Sequence, residues 1–437
     1  PYGVEGNIST QTAGVYFNAQ VYAADSRYNR VSSAGLDKTM RITSNDPFQS
    51  GLGDFGMTGG SVAVSNISLR TAGSRTLTVT DQSGTNPPLG NTGSGGFLLT
   101  PYTPTKLRAM LPGENRVAGS TGNGRSGAAD PDLQAGFPFT VTVDIADYAW
   151  NLTPGASQEI RLVTNDPGAS VTPPSQVITG SATFTVTLTK AGTTFLTVET
   201  VSPGVAGGPA LSQDITTTFP IAPGQARRLL LIMPTGESFS QVSATGRGGQ
   251  PSTKKAGDSF SVQVGVVDDY FNLVPGRPAD VKVYTPTDSY APVVSTAGID
   301  TASGKTELMY VNMRTAATHY LTASDYGGSG LSDDPRSSTV TVRPANPMGL
   351  QLLLPGEAAV PGSGNYPAGG KTVGASTQTA GTGFSATINL VDRYMNVYRD
   401  LPVGPTVYLV TSDVYDIDFD SAPLNYGTLQ ASFNPVT

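Results

Sequence analysis

A chain of 437 residues with 52 Gly, 33 Pro and only 14% charged residues, against about 25% in ordinary globular chains, reads as all-β and rich in turns, and its length alone suggests about three domains. The formal charge of −7 comes without a Lys/Arg cluster that could neutralise phosphates, which argues against nucleic acid as a partner. The absence of Cys excludes disulfides, thiolate catalysis and Cys-ligated zinc, while no apolar run reaches the ~18 residues of a membrane span.

In chain order, the first patterned stretch is FNAQVYAADSRYN from Phe17, a period-2 strand that ends at Asp25 and is followed by an aromatic residue and Asn29. MRITSND then runs to Asp46, and SVAVSNISLRTAGSRTLTVTD (61–81) reads as two strands turning at an Ala-Gly junction. KLRAMLPGE (106–114) is an apolar strand closed by a Pro-Gly turn, and the Gly/Ser-rich stretch 115–134 after it is long for a loop in a compact β domain. FTVTVDIADYAWN follows, with Phe139, Val141, Val143 and Ile145 on the predicted core face and Thr140, Thr142 and Asp144 on the other; Asp147 and Asn151 end it.

The same order then recurs. IRLVTND reaches Asp166, SATFTVTLTKAGTTFLTVET (181–200) is the next strand pair, and RLLLIMPTGE (228–237) with the segment 238–255 leads to FSVQVGVVDDYFN, ending in Asp268 and Asn272. VKVYTPTD closes at Asp288, KTELMYVNMRTAATHYLTASD spans 305–325, and LQLLLPGE (350–357) with 358–379 leads to FSATINLVDRYMN, holding Asp392 and Asn396. VYLVTSD closes at Asp413, and GTLQASFNPVT matches SATFTVTLTKA. Asp25, Asp147, Asp268 and Asp392 stand 122, 121 and 124 residues apart, and an Ala-Gly pair precedes each strand at Ala13, Ala135, Ala256 and Ala380 with the same spacing. Such constancy marks a structural unit repeated in tandem.

The pattern AGxxFxVxVxAxDxxxN, a strand ending in SxD, and TLxTAGTxxLTVxD resembles the bacterial immunoglobulin-like tandem repeats of surface proteins, the invasin and intimin stalks and filamin-like modules. The resemblance covers essentially the whole chain and implies tandem immunoglobulin-like β-sandwich modules in an extended array. The expected modules are 1–100, lacking a counterpart of KLRAMLPGE; 101–221; 222–345; and 346–437, lacking its last strands. The longer repeat, about 120 residues, and the PGE-plus-glycine segment depart from the better-known stalks, so no ligand is carried over.

Asp and Asn can accept from backbone N–H groups two residues on or adopt left-handed conformations cheaply, so Asp25, Asn29, Asp147, Asn151, Asp268, Asn272, Asp392 and Asn396 are expected to fix a strand-to-strand turn, with Tyr28, Trp150, Phe271 or Met395 capping the core end. Calcium is the rival reading, pairing Asp25 with Asp46, Asp147 with Asp166, Asp268 with Asp288 and Asp392 with Asp413; two carboxylates per module fall short of a calcium ligand set. No other cofactor is indicated. The single His319 reads as a surface or edge-strand residue, and the adjacent pairs Asp268-Asp269 and Asp333-Asp334 as solvated, so no catalytic constellation assembles and no enzyme is expected.

The expected function is that of an extracellular structural protein, a subunit or segment of a cell-surface filament, sheath or stalk. Self-association, strand complementation by neighbouring subunits and a cell-surface anchor outside this sequence are expected partners of that reading, and residues 115–134, 238–255 and 358–379 are expected to contact other modules or chains. The alternative is an adhesin presenting a glycan- or protein-binding tip.

Overall fold

A computed structural model describes residues 3–33, 36–84, 88–201, 208–241, 243–291, 295–415 and 419–436, and its contacts fall into two compact units, Pro1–Ala222 and Pro223–Thr437. The fold is all-β, and among the described residues no helix is long and apolar enough to cross a membrane. Among the described residues four separate hydrophobic clusters form, two in each unit, and they define the modules used below.

The second module shows the plan most completely. One sheet runs in the order Pro104–Met110, Pro138–Asp147, Ser181–Thr187, Ser170–Thr172, and the other in the order Gln176–Thr179, Ser157–Thr164, Leu196–Thr200, Asp214–Ile215. Phe139, Val141, Val143 and Ile145 from the first sheet meet Ile160, Leu162 and Val198 from the second in one cluster, as alternating strand faces require. Each fully buried Val, Leu or Ile of this kind stabilises the fold by about 1.5–3 kcal/mol. The third module differs in one connection. Ser295–Asp300 pairs with both Asp280–Tyr284 and Lys305–Thr306, joining the two sheets into a single seven-stranded sheet, six strands in one path and Met309–Asn312 paired off it with Ser259–Val267.

The Pro138–Asp147 strand departs from simple alternation in its second half. Asp144 and Ala146, on the face assigned to solvent, are fully buried. The reason is an ionic cluster the alternation could not show. Arg108 from the neighbouring strand donates to Asp144 Oδ2 through Nε and Nη2 at 3.1 and 2.6 Å, Arg116 donates to both oxygens, and Ser181 Oγ adds a bond of 2.6 Å. Burial alone would push the Asp144 carboxyl up, and the bonds from Arg116, Ser181 and Arg108 outweigh it and hold the group below the usual carboxylate range.

Candidate functional site: the joint between modules

The Asp-x-x-aromatic-Asn turn has one hydrogen-bond set in all four copies. Asp147 Oδ1 accepts from the N–H groups of Ala149 and Asn151 at 2.8 and 2.9 Å, and Oδ2 accepts from Asn151 Nδ2 at 2.8 Å. Asp25, Asp268 and Asp392 repeat these three bonds within 0.1 Å. The left-handed residue of the turn is neither Asp nor Asn. It is the residue between them, with φ of 66° at Tyr28, 64° at Trp150, 63° at Phe271 and 64° at Met395. For such side chains this conformation costs on the order of 1–3 kcal/mol unless the surroundings impose it. The cradle that imposes it is a glycine of the Gly-rich segment: a Cβ at Gly3, Gly124, Gly246 or Gly370 would collide with Tyr28, Trp150, Phe271 or Met395 respectively. Trp150 is further held by its Nε1–H, which donates to Gly122 O at 2.6 Å, and by Lys106 Nζ, 4.0 Å from the ring centroid.

The second set of carboxylates organises a different element, the hairpin that turns at Arg-Thr-Ala or Thr-Lys-Ala. Asp46 Oδ2 accepts from Arg70 N and Thr71 N at 2.6 and 2.8 Å, while Oδ1 accepts from Phe48 N and Thr71 Oγ1. Asp288 makes the equivalent four bonds with Arg314, Thr315 and Tyr290, and Asp166 with Thr189, Lys190 and Gly168. Asp413 accepts from Tyr415 N and Val436 N. Burial pushes Asp46, Asp166 and Asp288 up, and the converging N–H and O–H donors outweigh it, so all three lie below the usual Asp range. The oxygens proposed for calcium are thus turned to backbone donors, and among the described residues no three His, Cys, Asp or Glu side chains gather as a metal-holding group.

Inside each unit the two elements meet. In the first unit Ala72 N donates to Asn151 Oδ1 and Asn151 Nδ2 donates to Arg70 O, both at 2.8 Å; in the second, Ala316 N and Arg314 O make the same pair of bonds with Asn396, also at 2.8 Å. A buried carboxamide offers one acceptor and two donors on a planar group, so it matches one N–H and one C=O of the hairpin while its remaining N–H stays on Asp147 or Asp392. The aspartate also grips the linker, since Asp147 Oδ2 accepts from Tyr102 N and Asp392 Oδ2 from Ala345 N, at 2.9 and 2.8 Å.

An arginine and a tyrosine complete each joint. The Arg70 guanidinium lies 5.4 Å from the Tyr148 ring centroid and donates to the carbonyls of Gly119 and Ser120, while Arg314 lies 5.5 Å from Tyr394. The tyrosines rest on Gly14 and Gly257, the glycines of the Ala-Gly pairs, where a Cβ would overlap the ring or hydroxyl. The Gly-rich segments take part as well: Gly119 packs on Thr71 and Phe48, and Gly362 on Thr315 and Tyr290.

His319 lies in an edge strand, Thr318–His319, as one of the two expectations had it, but at 1% exposure it is buried and not at the surface. Its Nε2 lies 2.8 Å from Thr315 O and its Nδ1 3.1 Å from Thr287 Oγ1. A carbonyl only accepts, so Nε2 carries the proton. Arg75 braces the same carbonyl in the first module, donating through Nε to Thr71 O at 2.7 Å. The adjacent acidic pairs are also not simply solvated. Asp268 sits in its turn, and Asp334 is buried, accepting from Leu231 N and Arg247, while Asp269 and Asp333 remain exposed. The sequence reading missed Arg70, Arg314, Tyr148 and Tyr394. Their one visible signal was the recurrence of Arg-Thr-Ala at 70–72 and 314–316.

No family model and no curated protein matches the sequence. Among solved structures, the chain is similar to the Escherichia coli adhesin FdeC, at 16% identity over 77% of this chain and 95% of that one with a TM-score of 0.28. It is also similar to invasin, described as a bacterial integrin-binding protein, at 12% identity over 97% of this chain and 74% of that one with a TM-score of 0.25. The Yersinia pseudotuberculosis protein InvD matches at 13% identity over 76% and 94%, with a TM-score of 0.24.

Proposed function

We propose that this chain is a structural repeat protein of the cell exterior, a segment of a surface filament, sheath or stalk, in which the Asp-x-x-aromatic-Asn turn locks the second module onto the hairpin of the first and the fourth onto the hairpin of the third. The observation that carries this reading is the recurrence of one bond set at Asn151 and at Asn396, donor for donor and at the same 2.8 Å. A flexible string of beads has no use for a buried carboxamide between modules. A load-bearing or periodic array does, because each module must then hold a fixed orientation on its neighbour. Self-association of the chain through its exposed faces belongs to the same proposal, and the adhesin reading shares its scaffold.

The absence of cysteine makes the test clean. Spin labels at Thr43→Cys and Thr185→Cys, two exposed strand positions in different modules, report the distance distribution across the first joint. A narrow distribution that broadens with Asn151→Ala is expected. A distribution already broad in the parent chain, or unchanged by the substitution, overturns the locked-joint reading.

A further inference from the structure

Tension in a polypeptide enters a module through its first strand and leaves through its last. In the second module these are Pro104–Met110 and residues 212–222, and they run parallel. Leu107 N donates to Ser212 O at 3.0 Å and Ser212 N to Thr105 O at 2.9 Å. Further along, the last strand pairs in parallel with 133–135, the stretch that follows the Gly-rich segment: Ala222 N donates to Leu133 O at 2.8 Å and Ala135 N to Ala222 O at 2.9 Å. The third module repeats both patches. Leu229 N donates to Ser332 O and Ser332 N to Arg227 O, while Lys254 and Lys255 pair in parallel with Val342 and Arg343. In the first module Gln11–Thr12 pairs in parallel with Leu99 and Thr100.

One side chain staples the first of these patches. Ala109 N donates to Asp214 Oδ2 at 2.8 Å, and the same oxygen accepts from Nη2 of Arg125, which belongs to the Gly-rich segment and directly follows Gly124, the glycine packed on Trp150. In the third module Asp334 Oδ2 accepts from Leu231 N at 2.7 Å and from Nη2 of Arg247, the residue after Gly246. Each oxygen ties three segments together: the first strand, the Gly-rich segment and the last strand. The arginine side chains are nearly enclosed, 3% and 10% exposed. A buried ion pair adds little equilibrium stability over an apolar pair of similar volume. What it adds is fixed geometry, because the first strand cannot slide along the last without stretching a charge-assisted bond.

We propose that this arrangement is a mechanical clamp: the parallel first and last strands, stapled by Arg125–Asp214 and Arg247–Asp334, keep the second and third modules folded while the chain is under tension. Loads at the start of one strand and at the end of its parallel partner pull on opposite ends of the pair, so all the bonds between them are strained at once. Loads at the same end would open those bonds one after another. The quantity such a clamp controls is the rate of forced unfolding rather than the equilibrium free energy. Its use lies in the structural role proposed above and rests on that reading, but its bonds lie inside a module, so the clamp and the locked joint can fail separately.

The test pulls on the second module of the full chain in optical tweezers through paired cysteines, a residue the parent sequence lacks. Thr103→Cys with Gln225→Cys loads the two strands at opposite ends, and Thr103→Cys with Gln213→Cys loads them at the same end; all three positions are exposed. Expected at one fixed force is unfolding at least tenfold slower in the first geometry, and an acceleration of at least tenfold by Arg125→Leu in that geometry alone. Equal rates in the two geometries, or an equal acceleration of both by Arg125→Leu, overturns the proposal. Should Arg125→Leu fail to fold by circular dichroism, the two geometries of the parent chain decide alone. Equal rates together with a narrow spin-label distance across the first joint would remove the clamp and leave the locked joint standing.

Discussion

The turns at Asp25–Asn29 and Asp147–Asn151 are the same object in different surroundings. Within each, the aspartate takes the same three hydrogen bonds, and the residue before Asn has nearly the same left-handed φ. Yet Asp25 and Asn29 are exposed, whereas Asp147 and Asn151 are 0% and 1% exposed, with a hairpin seated on the carboxamide. The turn is therefore a local structure that forms without a neighbour, and docking uses atoms the turn leaves over. One carboxamide face closes the turn, and the other is free to read a neighbouring backbone.

A second contrast lies beneath the PGE strands. Where the second module buries Arg108 against Asp144, the fourth buries Gln351 against Asn389, with Asn389 Nδ2 donating to Gln351 Oε1 at 3.1 Å, and the third places Leu230 beside Gly265, whose empty side is filled by Leu273 and Phe239. One position carries an ion pair, an amide pair or an apolar pair, each complete in itself. Buried polar groups are stable in matched sets and costly when half-matched.

These contrasts can be broken in order of expected effect. The largest separates Val143 from Val21. Val143→Asp buries an unpaired charge in a closed core and is expected to unfold the second module, a loss of about 4 kcal/mol or more, whereas Val21 is only partly buried at the edge of the first module's core, so Val21→Asp is expected to cost clearly less; circular dichroism melts of the full chain distinguish them. Equal damage would mean that Val21 is as fully enclosed as Val143.

Next comes the ion pair. Arg108→Leu takes the fully buried guanidinium from Asp144 and leaves it Arg116 and Ser181, so the cost is expected at the low end of the about 3–5 kcal/mol of a broken buried pair, and adding Asp144→Gly should recover much of it by restoring the third module's combination. Gln351→Leu removes only a neutral partner, about 1–3 kcal/mol. Denaturant midpoints of the three variants check the ranking, and an Arg108→Leu cost no larger than that of Gln351→Leu would remove the charge argument.

Asn151→Ala is expected to cost about 1–3 kcal/mol through the unpaired Ala72 N–H and Arg70 carbonyl, seen as faster hydrogen exchange at Ala72. Asn29→Ala, on which no hairpin is seated among the described residues, should cost less than half as much. A matching loss at both positions would locate the whole contribution in the turn.

The smallest effect is on pH. Asp46 and Asp288 lie below the usual Asp range in the folded chain, so the stability they add is fully present above the unfolded value of about 3.9 and is lost as pH falls through their folded values. The spin-label distance across the first joint should stay narrow at neutral pH and broaden under acid well below pH 4. Broadening between pH 5 and 7 would point to another group.

The strands, their core faces and the recurrence of the Asp-Asn turn were legible in the sequence because they are periodic. Val143 and its relatives alternate along a strand, and Asp147 recurs at a fixed distance from its counterparts. The turn was legible for a related reason, since Asp147 and Asn151 act over four residues. What the sequence left open within that turn was the left-handed residue. Asn adopts positive φ most cheaply among the four, but a glycine from a segment about 26 residues earlier packs on Trp150 and makes the costlier choice the native one. Asp144 was read as outward-facing because alternation places it on the outer face, and its partners Arg108 and Arg116 come from other strands; His319 does lie in an edge strand, Thr318–His319, but is buried there by Thr315 nearby and by Thr287 from another part of the chain.

The sequence by itself thus determined whatever depends on neighbours a few residues away: strands, their buried face, and the carboxylate that closes each turn. Only the tertiary structure decided which face of Asn151 is spent on the turn and which on Arg70 and Ala72, some 80 residues away. A hydrogen bond has no memory of chain distance, and period and spacing carry no record of the pairs that folding brings together.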